Sequence, residues 1–420
     1  MNVLDAHSRK SSPIQPSGAS AFHWRYLFIV ITHSGPDYAL RWPHQIFRAE
    51  AEALLRDDPK EKTSAALEWR EGAEWLLVEA FASETPKVEF GRTEGVIVGR
   101  EFLIALKDRS HKLPKANPPK QYYLSRLRAK PTDIGGTDEA KRQMERSERE
   151  RKQKDLQRAW LSMLQALQGS GYLGQVAAGY CEDTHDGHYH PDAEIEKIIS
   201  DLTGLSVWYP ALAQFDRMAI DSDSWSEPIF YTLVEVFHDL VARPRRRWYH
   251  TWNDCGWHYE NFAQNPAQML YRWRVNELFT EAGNPLQIAK TGEDVGRLVE
   301  GTDQERQELI ASALRTNDTE RRNTVEHAVA LFRGRDAGRE EKRSACIALA
   351  ALLEERRDLM KQELLSKDEG ALFTLANQFD IRHRRADQKG DYDDAYLEWV
   401  YWWYLATVDL VEKLLARQAL

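Results

Sequence analysis

The last third of the chain is a run of amphipathic segments, and the final one, DDAYLEWVYWWYLATVDLVEKLLAR, is apolar nearly all round at its start. A helix of that kind has to be buried on more than one side. Upstream, TDQERQELIASALRT, NDTERRNTVEHAVALFRG, GREEKRSACIALAALLEERRDLMKQELLSKD and EGALFTLANQF repeat apolar residues at three- and four-residue intervals. Short polar joints at Thr316-Asn317-Asp318 and Gly334-Arg335-Asp336 favour antiparallel neighbours, so residues 286–420 read as a helical bundle. The aromatic stripe of the final helix serves a core, a dimer face, or both.

At 420 residues the chain is long for one core and suits several domains. Residues 1–20 are polar with two prolines and read as a disordered tail. Residues 21–126 read as a small α/β module: FHWRYLFIVITH has strand character, HQIFRAEAEALLRD and KTSAALEWREGAEWLLVEAFA have helical periods, and VEFGRTEGVIVGREFLIALK reads as short strands with glycine turns. Neither a GxGxxG nor a GxxxxGK[ST] loop is present in that module. Residues 127–155, with ERSERERKQK, read as a charged linker helix whose alternating signs suit a solvated face. Residues 156–285 read as a central helical domain, with LQRAWLSMLQALQGSGY and EPIFYTLVEVFHDLVARP as its clearest helices. The fold class expected is therefore mainly α with one small α/β part.

No apolar run is long enough to span a membrane, and the start of the sequence lacks an apolar signal core. Three cysteines, Cys181, Cys255 and Cys346, form neither a CxxC pair nor a disulfide framework, which fits a reducing compartment and a cytoplasmic location. A formal net charge of -9 argues against broad adhesion to nucleic acid, although a local cationic patch can still hold a phosphate backbone.

Such a patch occurs in NQFDIRHRRADQKGDYDD, between the last two helical segments of the bundle. Asn377 and His383 are six apart and Arg382 adjoins the histidine; Arg384, Arg385 and Lys389 follow. Histidine titrates near neutrality and suits proton transfer, arginine presents a planar cationic fork to a phosphate, and an amide orients either group. The arrangement resembles the HEPN superfamily, helical bundles whose ribonuclease motif is an Arg or Asn followed by four to six residues and then a His. Residues 156–420 are also similar to abortive-infection proteins of the AbiJ type, with FYTLVEVFHDLVARP, RRRWYHTWNDCGWHYENF and YRWRVNELF preceding the HEPN-like part. The resemblance implies a phage-defence toxin that cleaves RNA without metal or cofactor, with His383, Arg382 and Asn377 catalytic and Arg384, Arg385 and Lys389 on the RNA backbone. It also implies a homodimer through the C-terminal bundle and a phage-derived trigger. Asn stands where Arg is commoner. The structural alternative is a helix-capping basic loop.

Two further clusters carry polar chemistry. Cys181, His185, His188 and His190 in CEDTHDGHYHPD are weak metal candidates, because C-x3-H-x2-H-x-H matches no standard zinc spacing. They leave open a metal-dependent hydrolase. In RRRWYHTWNDCGWHYENF, Arg245 and His250 repeat an Arg-x4-His spacing outside the bundle, among Trp248, Trp252 and Trp257. That stretch reads as a packed aromatic knot with Cys255 and His258 as polar contacts and Gly256 in a tight turn. A third class of function, a noncatalytic sensor or scaffold that binds nucleic acid or a nucleotide, also fits these features.

Overall fold

A computed structural model describes residues 35–116, 138–176, 197, 200–201, 225–251, 256–364, 370–374 and 393–418. The chain is mainly helical and divides into two compact units, one of residues 1–119 and 243–266, the other of residues 120–242 and 267–420. Among the described residues no helix is long and apolar enough to cross a membrane.

In the first unit, α1 (His44–Arg56), α2 (Ser64–Ala80), α3 (Thr85–Gly91) and α4 (Gly95–Arg109) surround a core that includes Phe47, Leu76, Leu77, Phe90 and Leu103. The strands expected over VEFGRTEGVIVGREFLIALK are α3 and α4. Phe90, Val96, Phe102, Leu103 and Leu106 recur at helical intervals and are buried. The glycine that suggested a strand turn is Gly95, at φ +76°, which opens α4 instead. Two side chains hold this joint from afar. The Glu61 carboxylate accepts the Val96 and Ile97 N–H groups at 2.6 and 3.0 Å, and the Arg70 guanidinium donates to the carbonyls of Gly95 and Thr93 at 2.7 and 3.1 Å. The stretch FHWRYLFIVITH lies outside the described residues. No strand longer than an isolated bridge occurs within 35–116.

The sheet of this unit comes from far along the chain. β1 (Arg243–His250) and β2 (Gly256–Ala263) form an antiparallel hairpin in which Trp248 faces His258 and Tyr249 faces Trp257. The expected aromatic knot is thus a hairpin, because alternating side chains point to opposite faces and only one can pack against the helices. Its anchor is Arg243, 3% exposed, which donates to Glu50 at 2.6 Å and Glu79 at 2.9 Å and lies over the Trp42 and Trp75 rings. Arg245 reaches the second Glu50 oxygen at 2.8 Å.

In the second unit, α5 (Asp138–Gly169) joins the charged linker helix and the amphipathic segment after it into one helix. Its first half carries i,i+4 pairs such as Glu148–Lys152 at 3.0 Å, and its second half is buried. There Trp160 meets Phe230 and Phe237 edge-on, from α6 (Glu227–Leu240), and donates to the Tyr271 hydroxyl at 2.8 Å, from α7 (Gln264–Ala282). Tyr271 passes the chain on to the Val234 carbonyl at 2.9 Å. A short ladder, β3 (Leu286–Ile288) with β4 (Leu298–Glu300), follows.

The C-terminal part is a bundle of α8 (Gln304–Ala313), α9 (Thr319–Arg333), α10 (Arg339–Glu355), the short α11 (Arg357–Glu363), helical residues 370–374 and α12 (Asp394–Gln418). Asp303 and Asp318 cap α8 and α9 through their carboxylates. The helix read as one piece from Gly338 onward breaks at Arg356, the joint of α10 and α11. α10 packs against α9 and α12, and α8 against α12. Leu349, Leu353, Phe332, Tyr401, Tyr404 and Val408 fill the core. Cys346 is buried there, and burial pushes its thiol up to about 12.

The Arg243 anchor sets two expectations. Burial opposes the Glu50 charge, but Arg243 and Arg245 hold its carboxyl below the ordinary 4.5. Glu50 therefore contributes stability that is complete above its unfolded value and lost as pH falls through the lower folded value. Urea unfolding should show this loss in the acid limb, and Glu50→Gln should flatten it. Arg243→Ala leaves Glu50 buried without its main cation and should destabilise this unit by about 3–5 kcal/mol at pH 7.

Candidate functional site

Asn377, Arg382, His383, Arg384, Arg385 and Lys389 all lie outside the described residues. What the structure describes is their frame. On one side Leu372 and Phe373 are buried in the bundle, with Arg357 over the Phe373 ring at 4.4 Å. On the other, Asp393 accepts the Ala395 N–H at 2.8 Å and opens α12. The two sides are tied to each other: the Tyr404 hydroxyl donates to the Leu372 carbonyl at 3.0 Å. α12 is tied to its neighbours near its start by Arg339–Asp394 at 3.0 Å, Arg306–Glu398 at 3.2 Å and the Cys346 thiol on the Leu397 carbonyl at 3.6 Å. The described residues that flank 375–392 thus belong to one packed bundle.

Cys181, His185, His188 and His190 also lie outside the described residues. Among the described residues, no group of three or more His, Cys, Asp or Glu side chains is placed to hold a metal ion.

Of the third cluster, the hairpin fixes most. Arg245 and His250 are five apart on β1, so their side chains leave opposite faces. Arg245 is engaged by Glu50, while His250 sits 5.8 Å from His258, ring to ring. The pair is therefore not brought together. His258 stacks on Trp248 at 4.2 Å and 12°, and burial together with the nearby His250 keeps its pKa below the usual histidine value. Gly256 opens β2 at φ +87°, a backbone conformation that suits glycine. Cys255 lies outside the described residues.

One polar network has no motif in the sequence. A cleft of about 610 Å³ is lined by Glu235 of α6, Asp294 and Arg297 from the β3–β4 connection, His327 of α9, and Arg335. Glu235 accepts the Leu298 N–H at 2.8 Å and faces Arg335 at 3.4 Å; burial raises its pKa in spite of both. Burial likewise raises Asp294. Beside them His238 is 2% exposed. Arg272 can only donate, so His238 Nε2 accepts from it at 2.9 Å, and Nδ1 therefore carries the proton donated to Asp239 at 2.9 Å. Burial works against the Asp239 charge, yet hydrogen bonds from His238 and Arg297 hold it below the usual carboxylate range. Glu235 with Leu298, and Asp239 with Arg297 at 2.7 Å, tie α6 to the β3–β4 connection.

The sequence signal for this network was Gly292 and Gly296 in TGEDVGR, at φ +91° and +85°. A Cβ on Gly296 would stand 2.5 Å from the His238 ring. Gly296→Ala should accordingly destabilise the second unit by more than about 1–3 kcal/mol, combining left-handed strain with a clash, and thermal unfolding would show it.

Comparison of the chain with protein-family models, with curated proteins and with solved structures gives no match.

Proposed function

We propose that the chain is a phage-defence toxin of the abortive-infection kind, a HEPN-like endoribonuclease that cleaves RNA without metal at the segment carrying Asn377, Arg382 and His383. The observation that supports this reading most is the frame of that segment. The described residues on either side of it, Leu372 and Phe373 before and the start of α12 after, belong to one buried helical bundle. Rigid elements on either side are what a catalytic loop needs to place its groups.

The chemistry follows from the residue types. A base takes the proton of the RNA 2'-hydroxyl as that oxygen attacks the adjacent phosphorus; the P–O5' bond breaks, and an acid protonates the departing 5' oxygen. His383 supplies proton transfer near neutral pH, Arg382 stabilises the charge developing on the phosphorane, and Asn377 orients them. Arg384, Arg385 and Lys389 hold the flanking backbone.

One His383 per chain is half of an acid and base set, so the active species is a homodimer through the bundle. α12 offers the surface: Tyr396 and Trp399, 49% and 51% exposed, continue through Trp403 to Leu410 at helical intervals, and Trp399 stacks on Trp403 at 5.5 Å. A phage-derived trigger acting on the upstream parts of the chain releases the activity.

His383→Ala should relieve the growth defect caused by expression in a bacterial host and leave a labelled RNA uncut in purified form, with unchanged circular dichroism. Arg382→Ala should retain more cutting than His383→Ala, and Asn377→Ala more still. RNA cut equally by His383→Ala and the parent chain would remove the proposal, and host protection by both without RNA damage would favour the scaffold reading. In light scattering, Trp399→Asp should shift the dimer to monomer and lose cutting, whereas His383→Ala should remain dimeric. A parent chain that stays monomeric with and without RNA would contradict the paired site.

A further inference from the structure

The hairpin of the first unit exposes large side chains of one kind. The exposed large hydrophobic residues of β1 and β2 are Trp248, Tyr249 and Trp257, 38%, 54% and 48% exposed, with no aliphatic side chain among them. Tyr249 and Trp257 face each other across the ladder and meet edge to face at 5.1 Å. Strand alternation puts Arg247 and Tyr259, cross-strand partners, on the same face.

Arg247 differs from its neighbours. Arg243 is matched by Glu50 and Glu79, Arg245 by Glu50, and Arg246 by Glu68 at 2.9 Å. The Arg247 guanidinium instead lies over the Trp75 ring at 4.6 Å and the Trp257 ring at 4.4 Å, with no carboxylate partner among the described residues. Stacking on aromatic rings restrains the plane of a guanidinium while leaving its N–H edge to bind an anion. The opposite face carries Glu260, which accepts from Trp248 Nε1 at 3.0 Å and sets a negative charge beside that ring.

A restrained cation next to two exposed flat rings fits a chain that alternates anionic phosphate with aromatic base. An apolar protein segment would find no aliphatic surface here, and a duplex would keep its bases out of reach of the rings. We propose that the Arg247, Tyr249 and Trp257 face of the hairpin binds single-stranded RNA, bases stacking on Tyr249 and Trp257 while Arg247 contacts the backbone. This makes single-stranded RNA the substrate class and rests on the ribonuclease reading for its purpose, while the binding itself is independent of cleavage.

The test uses the full chain with His383→Ala, so that no RNA is lost, and a fluorescent uridine-rich oligoribonucleotide followed by anisotropy. Trp257→Ala and Tyr249→Ala should each weaken binding roughly 5- to 100-fold, and Trp257→Phe should restore most of it. Arg247→Gln should weaken binding and lower the slope of log affinity against log salt by about 0.7. The same sequence annealed into a duplex should bind less well than the single strand. Circular dichroism and melting of each variant establish that the unit is folded, and Trp248→Ala on the other face provides a folded control with affinity kept. Unchanged affinity in folded Trp257→Ala and Tyr249→Ala chains overturns the proposal. So does preference for the duplex, or loss of self-association in these variants with RNA binding intact. RNA held at this face by a parent chain that cuts nothing would leave this site standing and remove the ribonuclease reading alone.

Discussion

Tyr401 lies flat on Phe332, ring centroids 3.7 Å apart and planes within 4°, and the C-terminal bundle is organised around that contact between α9 and α12. Both residues are buried, Lys342 stands over the Phe332 ring at 5.6 Å, and Trp402 meets both rings nearly at right angles. Aromatic pairs of this size dominate core energetics through the area they remove from water. Farther along the same helices Arg321 and Glu412, both largely buried, pair at 3.0 Å. With α12 so fixed, its first turn and the Leu372 carbonyl that Tyr404 holds are fixed as well. The positions of Leu372 and of the first turn of α12, which flank 375–392 in the sequence, are therefore a consequence of core packing.

That dependence explains which parts of the molecule were legible in the sequence. Helices with strong periodicity and capped starts, such as those opened by Asp303 and Asp318, stand where the pattern put them, because the same apolar stripe that reveals a helix is the one buried. The Gly95 region was misread. Its glycine-interrupted apolar pattern suits strand or helix equally by local propensity, and the choice was made by Glu61 and Arg70, whose partners lie from 20 to 36 residues away. The hairpin was legible as aromatic and turn-rich but was read as a knot. Its packing partners, Glu50, Glu79 and Trp75, are separated from it by more than 160 residues, and no local pattern announces such a pairing. The proposed catalytic residues rest on the resemblance to the HEPN motif, which a local stretch can carry because it needs only an amide, an arginine and a histidine close together in sequence. The Glu235 and His238 network, by contrast, is assembled from four separate stretches of chain and left only two glycines as a trace.

The two units present different chemistry. The first carries an exposed aromatic and cationic hairpin face, suited to holding a flexible anionic polymer; the second carries a bundle whose last two helical segments are joined by a basic, histidine-containing stretch. With a net charge of -9, any RNA contacts of the kind proposed would be confined to such local patches, since the overall field repels phosphate. Recognition and cleavage would then be separable by mutation.

The central claim is that the 2'-hydroxyl, and not a metal-activated water, attacks the phosphorus. Identifying the ends of RNA fragments made by the purified parent chain in excess chelator tests this most directly. The account predicts 2',3'-cyclic phosphate on the upstream fragment and a free 5'-hydroxyl on the downstream one, at an undiminished rate. Fragments with 3'-hydroxyl and 5'-phosphate ends, or cutting abolished by the chelator, would contradict it.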